Sequence, residues 1–262
     1  MAKDHNPLTA EIWRQTVQKI RARTPARIFV DRGPAYTTQM ELELRQAHAA
    51  AVDAVWAEFD LEGDFPASFT AEWDLFEVWT RTSSKSEFLL RPDLGRHLSD
   101  SAKDHIRTRC PRAPDLQIVI GDGLSCAALI RQVPLLFPLL QQQGRRRGWK
   151  IGQSFVVHYC RVGIMNEIGG LLAPRVLILL IGERPGLATA ESLSAYMAYQ
   201  PHPGHTDADR NLISNIHAQG VHAEHAANLV LDLAARMMAF QLSGTTLKAS
   251  EQMPNDDQPL IT

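Results

Sequence analysis

Val176-Leu177-Ile178-Leu179-Leu180-Ile181, followed at once by Gly182-Glu183-Arg184-Pro185-Gly186-Leu187, decides the fold of this 262-residue chain. An unbroken apolar run of that length, bounded by a Gly- and Pro-rich turn, predicts a strand covered on both faces, as in the parallel sheets of α/β folds. The turn after such a strand lies at the carboxyl edge of the sheet, where open α/β folds place their ligands. Glu183 and Arg184 are thereby held at a candidate ligand rim, although a neighbouring carboxylate and guanidinium are also suited to pair with each other.

Working outward, strands are predicted over 116–120 and 154–159, with helices over 125–143 and 162–172 between them. Strand and helix alternating with short links imply right-handed parallel βαβ units, hence an α/β fold with a parallel Rossmann-like sheet in the C-terminal half. Pro134 and Pro138 are expected to kink or break their helix. Residues 196–199 add a further short strand, and 223–242 form a long helix. The N-terminal region reads as helical: Thr9 caps a helix from Ala10 to Arg23 that Pro25 ends, and a T-x-x-E box at Thr38 and Glu41 opens another that runs to Asp60. Residues 65–79 are aromatic-rich without one clear period. Three regions follow, 1–110, 111–250 and a loose polar tail over 251–262.

A net charge of −2 with 21% charged residues advertises neither a nucleic-acid nor an anionic-membrane surface. The apolar runs fall well short of the roughly 20 residues of a membrane helix, and the start MAKDHNPLTAE has no apolar signal core. Cys110, Cys126 and Cys160 are scattered and lack CxxC spacing, as expected of reduced thiols in the cytosol.

Several local patterns invite chemistry and have simpler readings. Gly121-Asp122-Gly123 after a strand suggests a dinucleotide loop, but the third glycine of the fingerprint falls on Cys126. Ser125 stands where a hydrolase nucleophile would, yet Ala127 replaces the glycine of that elbow, so an N-cap is expected. His222, Glu224 and His225 sit near a helix start without a third metal ligand at a recognisable spacing. Arg145-Arg146-Arg147 reads as a solvated turn.

The series GERPG (182–186), AESLSAY (190–196), DADR (207–210) and ISNIH (213–217) resembles the small subunit of ethanolamine ammonia-lyase. TPARI (24–28), RPDLGR (91–96), QIVIGDGLS (117–125) and RVGIMNEIG (161–169) agree with that family in the same order. The resemblance implies a hetero-oligomer with a large catalytic subunit, without nucleic acid or membrane, whose adenosylcobalamin the small subunit encloses; ethanolamine then yields acetaldehyde and ammonia by a carbon–nitrogen lyase reaction with a radical mechanism. Region 1–110 becomes a partner-docking region and 111–250 a cobalamin-binding domain, with no catalytic residue on this chain. The protein would be cytoplasmic, with or without enclosure in a bacterial microcompartment. Cofactor contacts carry over to Val162 in the RVG turn, Glu183 in GERPG, and Leu212 before ISNIH. Leu212 stands where some members have cysteine, and Ala188 where many have glycine, which restricts the loop backbone. No Asp-x-His occurs in the chain, so the resemblance implies that the cofactor keeps its own base on cobalt. Two other classes remain open at this level: a non-catalytic α/β regulatory or assembly subunit binding a nucleotide or partner, and a serine hydrolase using Ser125.

Overall fold

The computed structural model describes residues 38–187 and 189–252, with side chains as far as 249, together with Glu11, Ile12, Gln15, Thr16, Gln18 and Lys19. These last six are helical. The Thr9 cap, the ends of the 10–23 helix, the 24–28 motif, Ala188 and the chain beyond 252 lie outside the described residues.

Six strands build one sheet in the order β1-β3-β2-β4-β5-β6, with β1 at Phe76–Trp79, β2 at Leu116–Gly121, β3 at Phe155–His158, β4 at Val176–Gly182, β5 at Leu193–Tyr199 and β6 at Asn211–Ile216. The first four strands in that order run parallel, and β5 and β6 are antiparallel additions. The expectation of a parallel sheet therefore needs correcting at this edge. The reason is the 183–192 connection, which contains no helix: a parallel crossover needs roughly a dozen residues or more, usually including one, whereas a wide hairpin does not.

Every residue of β2, β3 and β4 is buried. On one face Ile118, Ile120, Ile178 and Leu180 pack against α6 (Cys126–Arg146) and α8 (Ala223–Phe240); on the other Val119, Val157, Leu177 and Leu179 meet α5 (Asp100–Arg109) and α7 (Ile164–Leu172). Alternation along each strand thus feeds two separate cores, the arrangement that requires continuous apolar strands.

Among its described residues the front region has helices as its regular elements apart from β1, which adds the outer parallel strand beside β3. It comprises α1 (Thr38–Trp56), the short α2 (Leu61–Asp64) and α3 (Ala67–Glu72), and α4 (Lys85–Leu90). Phe59, Phe65 and Phe69 join edge-to-face in the α6 core, which accounts for the aromatic 65–79 segment. Along α1, by contrast, only Met40 is buried.

Helix α6 runs unbroken through Pro134 and Pro138, contrary to the expected break. Both prolines are half-buried beside the exposed Leu135, while Val133, Leu136 and Phe137 are fully buried. The carbonyls that lose a helical donor are those of Ile130 and Pro134, on the outer side where solvent can replace the bond. After Gln241, in the left-handed region, α9 (Gly244–Gln252) ends the described chain.

Candidate functional site

The carboxyl ends of the central strands are tied together before any ligand is considered. Asp122, at the end of β2, accepts backbone N–H bonds from Tyr159 and Cys160 at 2.8 Å each. Burial pushes its carboxyl up, opposed by these two donors and by the charges of Lys85 and His158. The glycine turn beside it is filled by the protein itself: a Cβ on Gly123, whose φ is +60°, would stand 2.5 Å from the Gly182 carbonyl. A dinucleotide phosphate has no room there. Ser125 is fully buried and caps α6 by accepting from the Ala128 N–H, while its hydroxyl donates to the Ala190 carbonyl. It is a cap and not an accessible nucleophile.

Glu183 begins the connection from β4 to β5, half-buried. Its Oε1 accepts from Ser194 Oγ at 2.6 Å and from the Asn215 N–H at 3.0 Å. The second bond has a local cause. Between Leu193 and Ala195 the β5–β6 register shifts, β6 carries an extra residue, and Asn215 adopts φ +63°, a left-handed conformation that asparagine tolerates. The bulge turns an N–H away from the ladder and onto Glu183. The alternative pairing of Glu183 with Arg184 is not formed, and Oε2 has no protein partner among the described residues.

Ser194 and Tyr196 share the β5 face opposite Leu193, Ala195 and Met197, which enter the α6 core. Leu212 pairs with Tyr196 across the ladder, so it projects on the same face, and it is 44% exposed. This is the face on which α7 covers the central strands and leaves the outer ones open. A cleft of about 860 Å³ lies here, with Tyr196 from β5, Val162 and Gly163 from the start of α7, and walls from the 92–97 and 203–210 segments. Of the three residues singled out in the sequence, Val162 lines the cleft; Glu183 and Leu212 are not on its wall but flank Tyr196 through Ser194 and the β6 ladder.

The cleft is also marked by three residues that the sequence reading passed over: Arg96, Arg161 and Arg210. Each belongs to a quoted motif, RPDLGR, RVGIMNEIG or DADR, and that recurrence was the available signal. Arg210 is held by Asp207 and by Asn166 Oδ1 at 2.8 Å, with its side chain only 5% exposed. Glycines permit the close approach of the others. A Cβ on Gly95 would lie 2.8 Å from Arg161 Cγ, and one on Gly163 3.0 Å from Arg96 Cγ.

The remaining candidates resolve into structure. His222 N-caps α8 without a side-chain bond, and it, Glu224 and His225 are exposed. Among the described residues no group of His, Cys, Asp and Glu could hold a metal ion, and no helix is long and apolar enough to cross a membrane. Arg145, Arg146 and Arg147 are exposed at the end of α6 and in the turn after it, and Arg147 in addition binds Asp232 at 2.6 Å and the Leu231 carbonyl at 2.9 Å, fastening the end of α6 to α8. All three cysteines are free and buried, and burial pushes the Cys110 and Cys126 thiols up to about 12.

Residues 14–248 match the sequence profile of the family described as ethanolamine ammonia-lyase light chain (EutC). The chain is 36% identical over 239 residues to the ethanolamine ammonia-lyase small subunit of Clostridium acetobutylicum, covering 91% of this chain and 96% of that protein. It is 39% identical to the small subunit of Clostridium perfringens, over 90% of this chain and 78% of the relative. For the small subunit of Clostridioides difficile the identity is 38%, over 93% of this chain and 80% of the relative.

Proposed function

The chain belongs to the ethanolamine ammonia-lyase light-chain family, and from that premise we propose that it is the small subunit of an ethanolamine ammonia-lyase, enclosing adenosylcobalamin against a larger catalytic subunit. The observation that carries the reading is the disposition of Val162, Glu183 and Leu212 around one open sheet face beside an 860 Å³ cleft. That volume is in the upper part of the range of ligand sites, roughly 300–1,000 Å³.

The groups present fit a broad macrocycle with an apolar face and a rim of amides. Val162 and Leu212 offer apolar wall. Glu183 Oε2 is a free acceptor held in direction by the two bonds to Oε1, and the Val162 and Gly163 N–H groups are donors that no protein group uses among the described residues. An acceptor for amide N–H and donors for amide C=O are what such a rim demands. When bound, the cofactor supplies the radical chemistry that the deamination of ethanolamine requires. The work left to this chain is to bind, orient and exclude water.

Helix α1 supports the partner half of the reading. It leaves Leu42 60% and Trp56 54% exposed, and Val52 42%. Exposed apolar side chains on a helix with so little of the chain's own core against it suit the interface of an obligate complex.

The test is a titration of adenosylcobalamin into this chain assembled with its large subunit, followed by absorption. Glu183→Ala should weaken uptake by roughly tenfold or more, about 1.4 kcal/mol. Glu183→Gln keeps an acceptor and should lose less. Both should still assemble on size-exclusion chromatography. If both variants bind as wild type does, Glu183 has no cofactor role; an assembled wild-type pair that takes up no cofactor overturns the whole reading.

A further inference from the structure

The arginines of the cleft are unevenly paired. Arg210 has Asp207. The other carboxylate of the wall, Glu167, is engaged by the Leu98 N–H at 2.5 Å and by Lys103 at 3.5 Å. Asp93 is taken by Arg91 at 2.7 Å. Neither Arg96 nor Arg161 is left an ion-pair partner: the Arg96 side chain makes no hydrogen bond or ion pair among the described residues, and the Arg161 guanidinium donates only to the Phe88 carbonyl at 3.2 Å, 4.2 Å from the Phe88 ring. The Nε atoms of Arg161 and Arg210 are buried without partners. Burial first of all pushes the Arg161 guanidinium below its ordinary value; the like charges of Arg96 and Arg184 add to this, and Cys160 and Asp122 oppose it. Arg161, half-buried with the exposed Arg96 beside it, is a cation whose burial is costly unless a counter-charge joins it.

The backbone at the same point makes the same demand. Helix α7 has no side-chain cap at Gly163, its first N–H groups are satisfied by tight bonds to Arg161, Val162 and Gly163 carbonyls, and the Val162 and Gly163 N–H groups are left over. Unpaired N–H groups at a helix start favour an anion, and guanidiniums beside them favour one with several oxygens.

We propose that this end of the cleft is a phosphate subsite, formed by Arg96 and Arg161 with the Val162 and Gly163 N–H groups, and that its occupant is the phosphodiester in the nucleotide tail of cobalamin. The choice of occupant rests on the cofactor reading above; the demand for a phosphate rests on the unpaired cations and N–H groups. Because the contact lies on the tail, it sets the position of the cofactor and takes no part in the reaction.

Two corrinoids that differ in the phosphate alone, adenosylcobinamide and adenosylcobinamide phosphate, test it in the assembled complex by absorption titration. Wild type should bind the phosphate form about tenfold tighter or more. Arg96→Gln removes an exposed, unbonded charge and is safe for folding; paired with Arg161→Gln it should bring the two affinities together without changing that of adenosylcobinamide, while Arg161→Lys should keep most of the preference. Equal affinities in wild type, or a preference unchanged in the double variant, overturn the proposal. If neither corrinoid binds, the cofactor reading has failed, and calorimetry of the full chain with inorganic pyrophosphate decides the subsite: salt-sensitive uptake lost in Arg96→Gln supports it with a free phosphate as the source, and no uptake overturns it.

Discussion

Strands β4 and β6 belong to one sheet, two places apart, and live in different physical worlds. β4 is buried along its whole length between α6 and α7, whereas in β6 only the end residues Asn211 and Ile216 are buried and Leu212 is 44% exposed. The contrast follows from coverage: α7 is short, and beyond the central strands its face of the sheet is left open. The residues of interest, Glu183, Leu212 and the arginines of the cleft, gather where the covering stops. The covered part supplies rigidity, and the uncovered part supplies free donors and acceptors.

Three substitutions probe this division, in falling order of expected effect on stability. Leu180→Ala empties a fully buried site between β4 and α6 and should cost about 2–5 kcal/mol in chemical denaturation. A loss below about 1 kcal/mol would mean that the central strands are not the rigid frame. Asp122→Asn, at the boundary, replaces one of two accepting oxygens by an amine that faces a backbone N–H, and should cost about 1–3 kcal/mol. Leu212→Ser should move stability by no more than about 0.5 kcal/mol while weakening adenosylcobalamin uptake by the assembled pair. Were it to unfold the protein instead, the open edge would be structural, and the comparison with β4 would collapse.

The central strands were legible because both faces are covered: 116–120, 154–159 and 176–181 became Leu116–Gly121, Phe155–His158 and Val176–Gly182. The outer strands were not, for the same reason reversed. β6 reads Asn-Leu-Ile-Ser-Asn-Ile, with polar residues in both alternating sets and a bulge that disturbs the period. β5 starts at Leu193 and not at Tyr196, because Leu193 and Ala195 belong to the α6 core while Ser194 hides its role in a bond to Glu183. Its direction was readable in principle from the helix-free 183–192 connection. The unbroken α6 was not readable, since a proline pair does not reveal which side of a helix will meet solvent. At the site, the family motifs led to Val162, Glu183 and Leu212, but the arginines look like ordinary surface charge until the fold shows which of them lack a carboxylate.

The strand order also sets a timetable. Phe76 of β1 finds its partner only at Phe155 of β3, and β2 is flanked by β3 and β4, whose residues follow it on the chain. A chain emerging from the ribosome at about 5–20 residues per second therefore completes β1 and β2 several seconds before either has a neighbour. The pairs made of consecutive strands are β2 with β3, β4 with β5 and β5 with β6, but β3 lies more than thirty residues beyond β2, so early protection of the apolar β2 must come from α6, which follows it directly and packs on it, until β3 and β4 arrive. Loop closure over such separations slows folding relative to a sheet of hairpins.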